Sequence, residues 1–441
     1  MNHELKNIAQ AALEIAQRLG AQQAAIETSR SRQIEVEWRE GRLDKISEAV
    51  SRALGLRLYV DGRYGAYYTS DLRRDAVARF ISDVVTLTRH LTPDQYRELT
   101  DARLYDNRST QELELYDAKI LTLSSAQRQE HVAAVEAAAR AADESKAIIS
   151  VTTGYSDRAS ESYRLHSNGF EGESLQSFCS NSATVSLHDE DGRRPEESDY
   201  SAAHFVSDLL SPQEVGAAAT QRGFARLGAK KLPSSKCSMI VDHRAAGRLL
   251  GYFLGPASAA ALQQKRSFFE NKLKTVVASP LLNIDDDPFL VRGLGSRLFD
   301  GEGISAKVLP VVKQGVLENI YVDTYYGKKL EMVPTTGSLS NLRLALGEKS
   351  QKEILSEVKN GMLVTGFLGG NANTTTGDFS LGVMGFLIHD GIKSTPFSEM
   401  NISGNLLTLW QQLIAIGNDP YPYSALRTPT LVFENVQFAG T

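Results

Sequence analysis

Apolar residues in the first ninety positions follow two different spacings. From residue 5 to residue 19 they recur every three or four positions, which predicts an amphipathic helix that ends at Gly20. Over residues 34–38 and again over 54–60 they alternate with polar residues, which predicts two half-buried strands. Asp61-Gly62 is typical of a tight hairpin turn, and residues 64–69 would form the returning strand.

The rest of the first half continues this mixture of helices and strands. A long helix is predicted over residues 70–90, with an apolar stripe of Leu72, Ala76, Phe80, Val84 and Leu87. Residues 146–153 predict another strand, and Asn168-Gly169 predicts a hairpin. The acidic run over residues 188–199 is interpreted as a solvated loop. These elements together predict an α/β layer built on an antiparallel sheet.

The second half has a different pattern, with short apolar runs separated by Gly, Asp and Asn. Strands are predicted over residues 281–284, 308–312, 316–322, 362–366, 379–388 and 431–436. After the helices predicted over residues 243–264, only residues 353–358 and 406–416 have a helical pattern. This predicts a β-rich domain, either a curled sheet or a barrel, with helices outside it.

The predicted fold class is therefore α+β with two domains. The N-terminal α/β domain, with its antiparallel sheet and long helices, would span residues 1–205, and the C-terminal β-rich domain residues 236–441. Between them, residues 206–235 would form a connector, because a helix that starts with the capping box Ser211-Pro212-Gln213-Glu214 is followed by a polar, Pro-containing stretch.

Composition limits the classes of function. The 441 residues carry a net charge of −5, which argues against binding to nucleic acid or to an anionic membrane surface. Only Cys179 and Cys237 are present, so no disulfide framework is indicated and a reducing compartment is expected. The N-terminus lacks the apolar core of a signal peptide, and no run of about 18 apolar residues occurs. The sequence thus predicts a soluble, cytoplasmic protein.

The segment with candidate chemistry is the strand-to-helix stretch over residues 237–255. A zinc peptidase helix needs two neutral imidazoles on the metal and a Glu that takes a proton from bound water. Here His243 is present, but Arg244 follows it where the base would stand, and Arg248 lies where the second imidazole would be. A guanidinium has no lone pair for a metal or a proton. On this pattern alone, His243 is best interpreted as an ordinary helix-start residue.

Two further groups of residues could bind a ligand. The carboxylates of Asp285, Asp286 and Asp287 could hold a hard cation, but a structural turn before Pro288 is favoured because a strand places alternate acids on opposite faces. The glycine-rich stretch over residues 366–379 could present a strand edge to an extended peptide. Turns between strands are the alternative for this stretch.

Several stretches in order along the chain resemble the TldD/PmbA family, closest to its PmbA (TldE) branch. They are EGRLDKISEAVSRALGLRLYVDGRYG at 40–65, SFFENKLKTVVASPLLNIDDDP at 267–288, LFDGEGISAKVLPVVKQGVLENIYVD at 298–323, PTTGS at 334–338, GFLGGNANTTTGDFSLGVMGFLIHDG at 366–391 and TPTLVFENVQFAGT at 428–441. The TldD branch carries His-Glu-x-x-x-His and a late Cys as its zinc site. In this chain HRAAGR at 243–248 replaces that motif, and no Cys follows Cys237.

The resemblance implies a particular role. The C-terminal domain would correspond to the family's metalloprotease domain but would lack catalytic residues and bind no metal. Zinc would belong to a TldD-like partner in a heterodimer that cleaves unfolded or short peptides, in peptide antibiotic maturation and antitoxin turnover. A homodimer would be an alternative state of the isolated chain. Gly369, Gly370, Asn371 and Asp378 are the predicted substrate-binding residues, in a cleft or at a contact between subunits.

Two other functions stay open on the sequence. The chain could be a metallopeptidase in its own right with a different ligand set, for example His243 with Asp286 and a distant His. It could also be a protein-binding module of the DNA gyrase modulator type, without a peptidase role.

Overall fold

The N-terminal half is one antiparallel sheet with helices packed against it. The computed structural model describes residues 3–143 and 147–441. The elements of this half are α1 His3–Arg18, β1 Gln23–Arg39, β2 Arg42–Val60, β3 Arg63–Thr69, α2 Arg74–Thr88, α3 Ser125–Ala141, β4 Ile148–His166, β5 Glu171–Leu187, β6 Glu196–Ala203 and α4 Pro212–Ala225. The strand order is β3-β2-β1-β4-β5-β6, so each strand lies beside the next in the chain except at the β1–β4 pair.

The two pairs of helices cover opposite ends of this long sheet. Helices α1 and α2 bury Ile26, Leu54 and Leu56 at one end. Helices α3 and α4 pack on Val151 and Val185 at the other. The sequence-based prediction of the apolar stripe on α2 is wrong in part. Its buried residues are Val77, Ile81, Val84, Val85 and Thr88, whereas Leu87 is exposed, because the helix begins at Arg74 and turns a different face to the sheet.

Strands β1 and β2 are much longer than the alternation predicted, at 17 and 19 residues. Their added length is polar and is held by cross-strand side-chain pairs. The Ser31 and Ser51 hydroxyls lie 2.8 Å apart, and Arg32 donates to Glu48 at 2.7 Å. The acidic run is also partly a strand, since β6 begins at Glu196 and Asp199 is buried, so the loop interpretation is wrong there.

The C-terminal half contains a closed barrel, which confirms the α+β class. Strands β12, β13, β14, β17 and β7 follow one another in pairing, and the β14–β17 pair closes the ring. The elements are β7 Ser235–Val241, α5 His243–Leu254, α6 Ala259–Gln263, β8 Ile284–Asp286, β9 Leu309–Lys313, β10 Val316–Leu317, α7 Thr324–Leu330, β11 Leu342–Leu344, α8 Gln351–Glu357, β12 Asn360–Ala372, β13 Asp378–His389, β14 Ile392–Asn405, α9 Leu406–Gln411, β15 Leu413–Ile416, β16 Leu426–Arg427 and β17 Leu431–Ala439.

One apolar core joins the barrel to α5 and to a second sheet of order β10-β9-β8-β11-β16. Phe253 of α5 stacks on the fully buried Trp410, with ring centroids 4.8 Å apart. Two predicted elements differ from the structure here. The helix predicted over residues 406–416 ends at Gln411 and is followed by strand β15, and the strand predicted over 316–322 is only two residues long.

The two halves contact each other through polar side chains and through aromatic rings, such as those of Phe170 and Phe299 with centroids 5.2 Å apart. The Thr100 and Thr324 hydroxyls lie 2.6 Å apart, and Arg164 of β4 donates to the carbonyl of Asp300 at 2.8 Å. Arg244 of α5 pairs with Asp199 of β6. Within residues 3–143 and 147–441, no helix combines the length and apolar character that a bilayer crossing needs.

Candidate functional site

Helix α5 begins directly where the central barrel strand β7 ends. Asp242 caps the helix, because its carboxylate accepts from the backbone N–H of Arg244 at 3.0 Å. The N–H of Asp242 in turn donates to the carbonyl of Val364 on β12, at 2.9 Å. The start of α5, with His243, is therefore fixed to the barrel by backbone and capping hydrogen bonds.

His243 is oriented by a carboxylate that lies far away in the sequence. Its Nδ1 is 3.0 Å from Oδ2 of Asp419. Thr430 holds that carboxylate in place, with its backbone N–H donating at 3.0 Å and its hydroxyl at 2.7 Å. Burial lowers the pKa of His243, but the hydrogen bond to Asp419 and the charges of Asp242 and Asp419 outweigh it, so the net shift is upward.

The raised pKa of His243 gives a pH-dependent contribution to stability. The protonated ring stabilises the fold fully below the ordinary pKa of 6.5, and this contribution is lost as the pH rises through the higher folded pKa. In the wild type the free energy of unfolding should therefore fall as the pH rises from about 5.5 to about 8.5, and in His243→Gln this fall should be smaller. Urea titrations at the two pH values would measure this. If the free energy of unfolding falls by the same amount in wild type and variant, the raised pKa of His243 is contradicted.

Arg244 joins the C-terminal half to the N-terminal sheet. Its Nη1 donates to Oδ1 of Asp199, which is buried, and its Nη2 lies 3.4 Å from the carbonyl of Ser198. The guanidinium carbon also lies 5.9 Å and 5.6 Å from the ring centroids of Tyr200 and Tyr421. The side chain that follows His243 is thus a cation held in a largely buried ion pair.

Arg248 lies one turn later on α5 and reaches the glycine-rich strand. Its Nη1 donates to the carbonyl of Phe367 on β12 at 3.0 Å. On this side β12 pairs with β7 only from Gly361 to Val364, so Phe367 lies beyond the end of that pairing. Arg248 therefore occupies one acceptor on a strand edge that pairs with no other strand within the described ranges.

Family models for three consecutive domains match this chain. They describe PmbA/TldA metallopeptidase domain 1 over residues 24–88, the central domain over 118–227 and the C-terminal domain over 234–440. The chain belongs to the PmbA/TldD metallopeptidase family. It is 28% identical to metalloprotease PmbA of Escherichia coli O157:H7, over 95% of this chain and 92% of the relative. It is 27% identical to the Haemophilus influenzae PmbA homologue, over 99% and 96%.

Solved structures of similar proteins share the whole fold. A candidate modulator of DNA gyrase from Bacteroides thetaiotaomicron is 40% identical, with a TM-score of 0.95 and 99% of each chain covered. TldE of Thermococcus kodakarensis is 20% identical, with a TM-score of 0.88, and covers 98% of this chain and 100% of its own. At that identity the likeness to TldE shows the fold alone.

The PmbA/TldD resemblance implies zinc, and the residues at α5 do not fit this metal. Across residues 3–143 and 147–441, no group of three or more His, Cys, Asp or Glu side chains could hold a metal ion. The Nδ1 of His243 faces Asp419, and the neighbouring positions are two guanidinium groups, which would repel a divalent cation. Asp286 of the alternative ligand set lies elsewhere. It is buried and bonded to Tyr321 and to the backbone of Ser340.

The predicted substrate-binding residues lie at the far end of the β12–β13 hairpin. Gly369 has open space where a Cβ would be, whereas at Gly370 a Cβ would lie 2.1 Å from the carbonyl oxygen of Ser380. The side-chain Oδ1 of Asn371 accepts from the backbone N–H of the next residue, Ala372, at 2.8 Å. Asp378 accepts from Asn405 and Thr376, and these bonds lower the pKa of its carboxyl. Gly369 thus belongs to the strand edge that Arg248 contacts, and Asp378 to a closed turn.

The residues that complete the site were missed by sequence reasoning. Asp419, Tyr421 and Asp199 all contact the start of α5 through His243 or Arg244. Asp199 lies in an acidic run that is typical of a loop. The available signal of a strand was the alternation of side-chain types in SDYSAA at residues 198–203. Nothing in the spacing along the chain could connect Asp419 to a helix that begins 176 positions earlier.

Proposed function

We propose that this chain is a non-catalytic, PmbA/TldE-like subunit that works with a TldD-like partner. The partner holds the zinc, and the pair cleaves unfolded or short peptides. The single observation that supports this most is the ion pair between Arg244 and the buried Asp199. It leaves no group in that position that could take a proton from water, because a guanidinium stays protonated.

The subunit would hold peptide along the open edge of β12. The edge beyond Val364 lies beside α5, and Gly369 offers space for the approach of a second backbone. Arg248 would have to release the carbonyl of Phe367 before a peptide could pair there. The heterodimer, the homodimer of the isolated chain and the cytoplasmic location are parts of this proposal that rest on the resemblance and on composition.

The chain alone is expected to bind no stoichiometric zinc and to cleave no peptide. Elemental analysis of the purified chain, together with a quenched-fluorescence assay on an unstructured peptide, would measure both. Adding a TldD-like protein from the same source should produce cleavage that exceeds the activity of that protein alone. His243→Gln should leave this combined activity unchanged, since the ring holds no metal.

Two outcomes would contradict the proposal. Zinc at one equivalent with peptidase activity in the isolated chain would favour a metallopeptidase with its own ligand set. Co-purification with DNA gyrase and not with a TldD-like chain would favour the protein-binding module, since the name of the Bacteroides relative is a modulator of DNA gyrase.

A further inference from the structure

Strand β5 has an open edge in its first half. It pairs with β4 from Glu171 to Leu187, but with β6 only from Cys179 to Ser186. Residues 171–178 therefore have a strand on one side only. An open strand edge exposes N–H and C=O groups to any partner that can supply a matching backbone.

The hydrogen-bond pattern shows which backbone groups point outward. The N–H of His166 donates to the carbonyl of Phe170 at 2.9 Å, where the β4–β5 hairpin closes. Because antiparallel pairing alternates, the even-numbered residues of β5 bond to β4 here, and the odd-numbered ones face away. Ser177 confirms this, since its N–H donates to the carbonyl of Leu115 at 2.8 Å. The N–H and C=O groups of Glu173 and Leu175 thus point outward, with no partner across this edge in the described chain.

A cavity lies directly beside these outward groups. Its volume is 590 Å³, within the range of about 300–1,000 Å³ that ligand sites have. Residues 173–176 of β5 line it together with residues 111–116, Ser162 and Arg164 of β4, Phe205, and residues 297–301 of the C-terminal half. The carbonyl of Leu115 accepts from Ser177 of β5, and residues 111–116 and 173–176 both line the cavity next to this contact.

The charged residues that line the cavity are four acids and two arginines, so the lining carries a net negative charge. Arg164 pairs with Glu27 at 2.9 Å and donates to the carbonyl of Asp300. Arg297 keeps its positive charge, because it donates to the neutral carbonyl of Leu339 at 2.9 Å. Glu112 and Glu173 are both exposed, and neither has a salt-bridge partner in the described ranges. A ligand with positive side chains therefore complements the cavity.

We propose that residues 173–176 of β5 bind an extended peptide that carries lysine or arginine, by main-chain pairing with Glu173 and Leu175. The peptide adds a strand to the open edge, and its basic side chains meet Glu112 and Glu173. This site goes beyond the proposed function, because it needs neither a partner subunit nor zinc and lies on the N-terminal sheet.

Fluorescence anisotropy on the full chain tests the main-chain pairing directly. The probe is a fluorescein-labelled hexapeptide of alternating lysine and valine. Two further forms of this peptide carry methyl groups on alternate backbone nitrogens, one on the odd-numbered and one on the even-numbered residues. Each form keeps the charge of the peptide and loses the N–H donors at its methylated positions. We expect the methylated form that blocks the paired nitrogens to bind at least about tenfold more weakly, from the loss of one or two hydrogen bonds. Equal binding of all forms would overturn the proposal, and so would the absence of binding to wild type.

Variants of the chain give a second, independent test. Leu175→Pro removes only an outward N–H, which an edge strand tolerates, and should also weaken binding about tenfold. Leu175→Ala keeps the N–H and is the matched control. Glu173→Gln should weaken binding about threefold, as expected for one exposed charge pair, whereas the exposed Glu130→Gln on α3 should not. If Leu175→Pro folds and binds like Leu175→Ala, the assigned edge is wrong.

Discussion

Replacing Arg128 with methionine is expected to lower the free energy of unfolding by about 3–5 kcal/mol. Arg128 of α3 donates to Asp157 of β4 at 2.7 Å, and the two side chains are only 1% and 2% exposed. The same guanidinium donates to the carbonyls of Leu123 and Ile120, at 2.5 Å and 3.1 Å. Removing it leaves a buried carboxylate and two carbonyls without a donor. Urea denaturation monitored by circular dichroism would measure the loss.

An exposed ion pair of the same length provides the control. Arg32 donates to Glu48 at 2.7 Å, with exposed fractions of 32% and 54%, so Arg32→Met should cost less than about 1 kcal/mol. Combining Arg128→Met with Asp157→Leu should recover much of the loss, because no charge is then left buried. A loss below about 1 kcal/mol for Arg128→Met alone would show that the pair is not desolvated as described.

Replacing Arg244 with methionine is expected to lower the free energy of unfolding by about 3 kcal/mol or more, because it leaves a buried carboxylate unpaired at the contact between the halves. Asp199 is buried in β6 and would lose its counter-charge, and the guanidinium would no longer lie near Tyr200 and Tyr421. Arg244→Glu should be worse than Arg244→Met, because it places a second carboxylate beside Asp199. Hydrogen exchange should show faster exchange at β6 and at the start of α5.

Arg248 is the matched control on the same helix. It is exposed and makes hydrogen bonds to the carbonyl of Phe367 and to Tyr252, so Arg248→Met should change stability by less than about 1 kcal/mol. We expect Arg244→Glu to be the most destabilising, Arg244→Met the next and Arg248→Met the least. This order would separate the loss of an ion pair between the halves from a general effect of removing positive charge from α5. Equal losses at the two positions would contradict the role assigned to Arg244.

The local sequence was sufficient wherever one short segment determines its own conformation. Asp61-Gly62 forms the tight turn that its residue types predict, with positive φ at both positions. The capping box at Ser211 and the cap at Asp242 are present, because a capping side chain bonds to backbone only two or three residues away. That Arg244 and Arg248 follow His243 on the same helix could likewise be read directly.

What the sequence by itself determined is the α+β class, a β-rich second half and the presence of two arginines, Arg244 and Arg248, on the helix that begins with His243. Only the tertiary structure decided the partners of these cations, Asp199 for Arg244 and the carbonyl of Phe367 for Arg248. It also decided the full length of β1 and β2, whose polar stretches show no apolar alternation. The physical reason is that hydrophobic period and capping act within a few residues, whereas ion pairs and strand pairing depend on segments that only folding brings together.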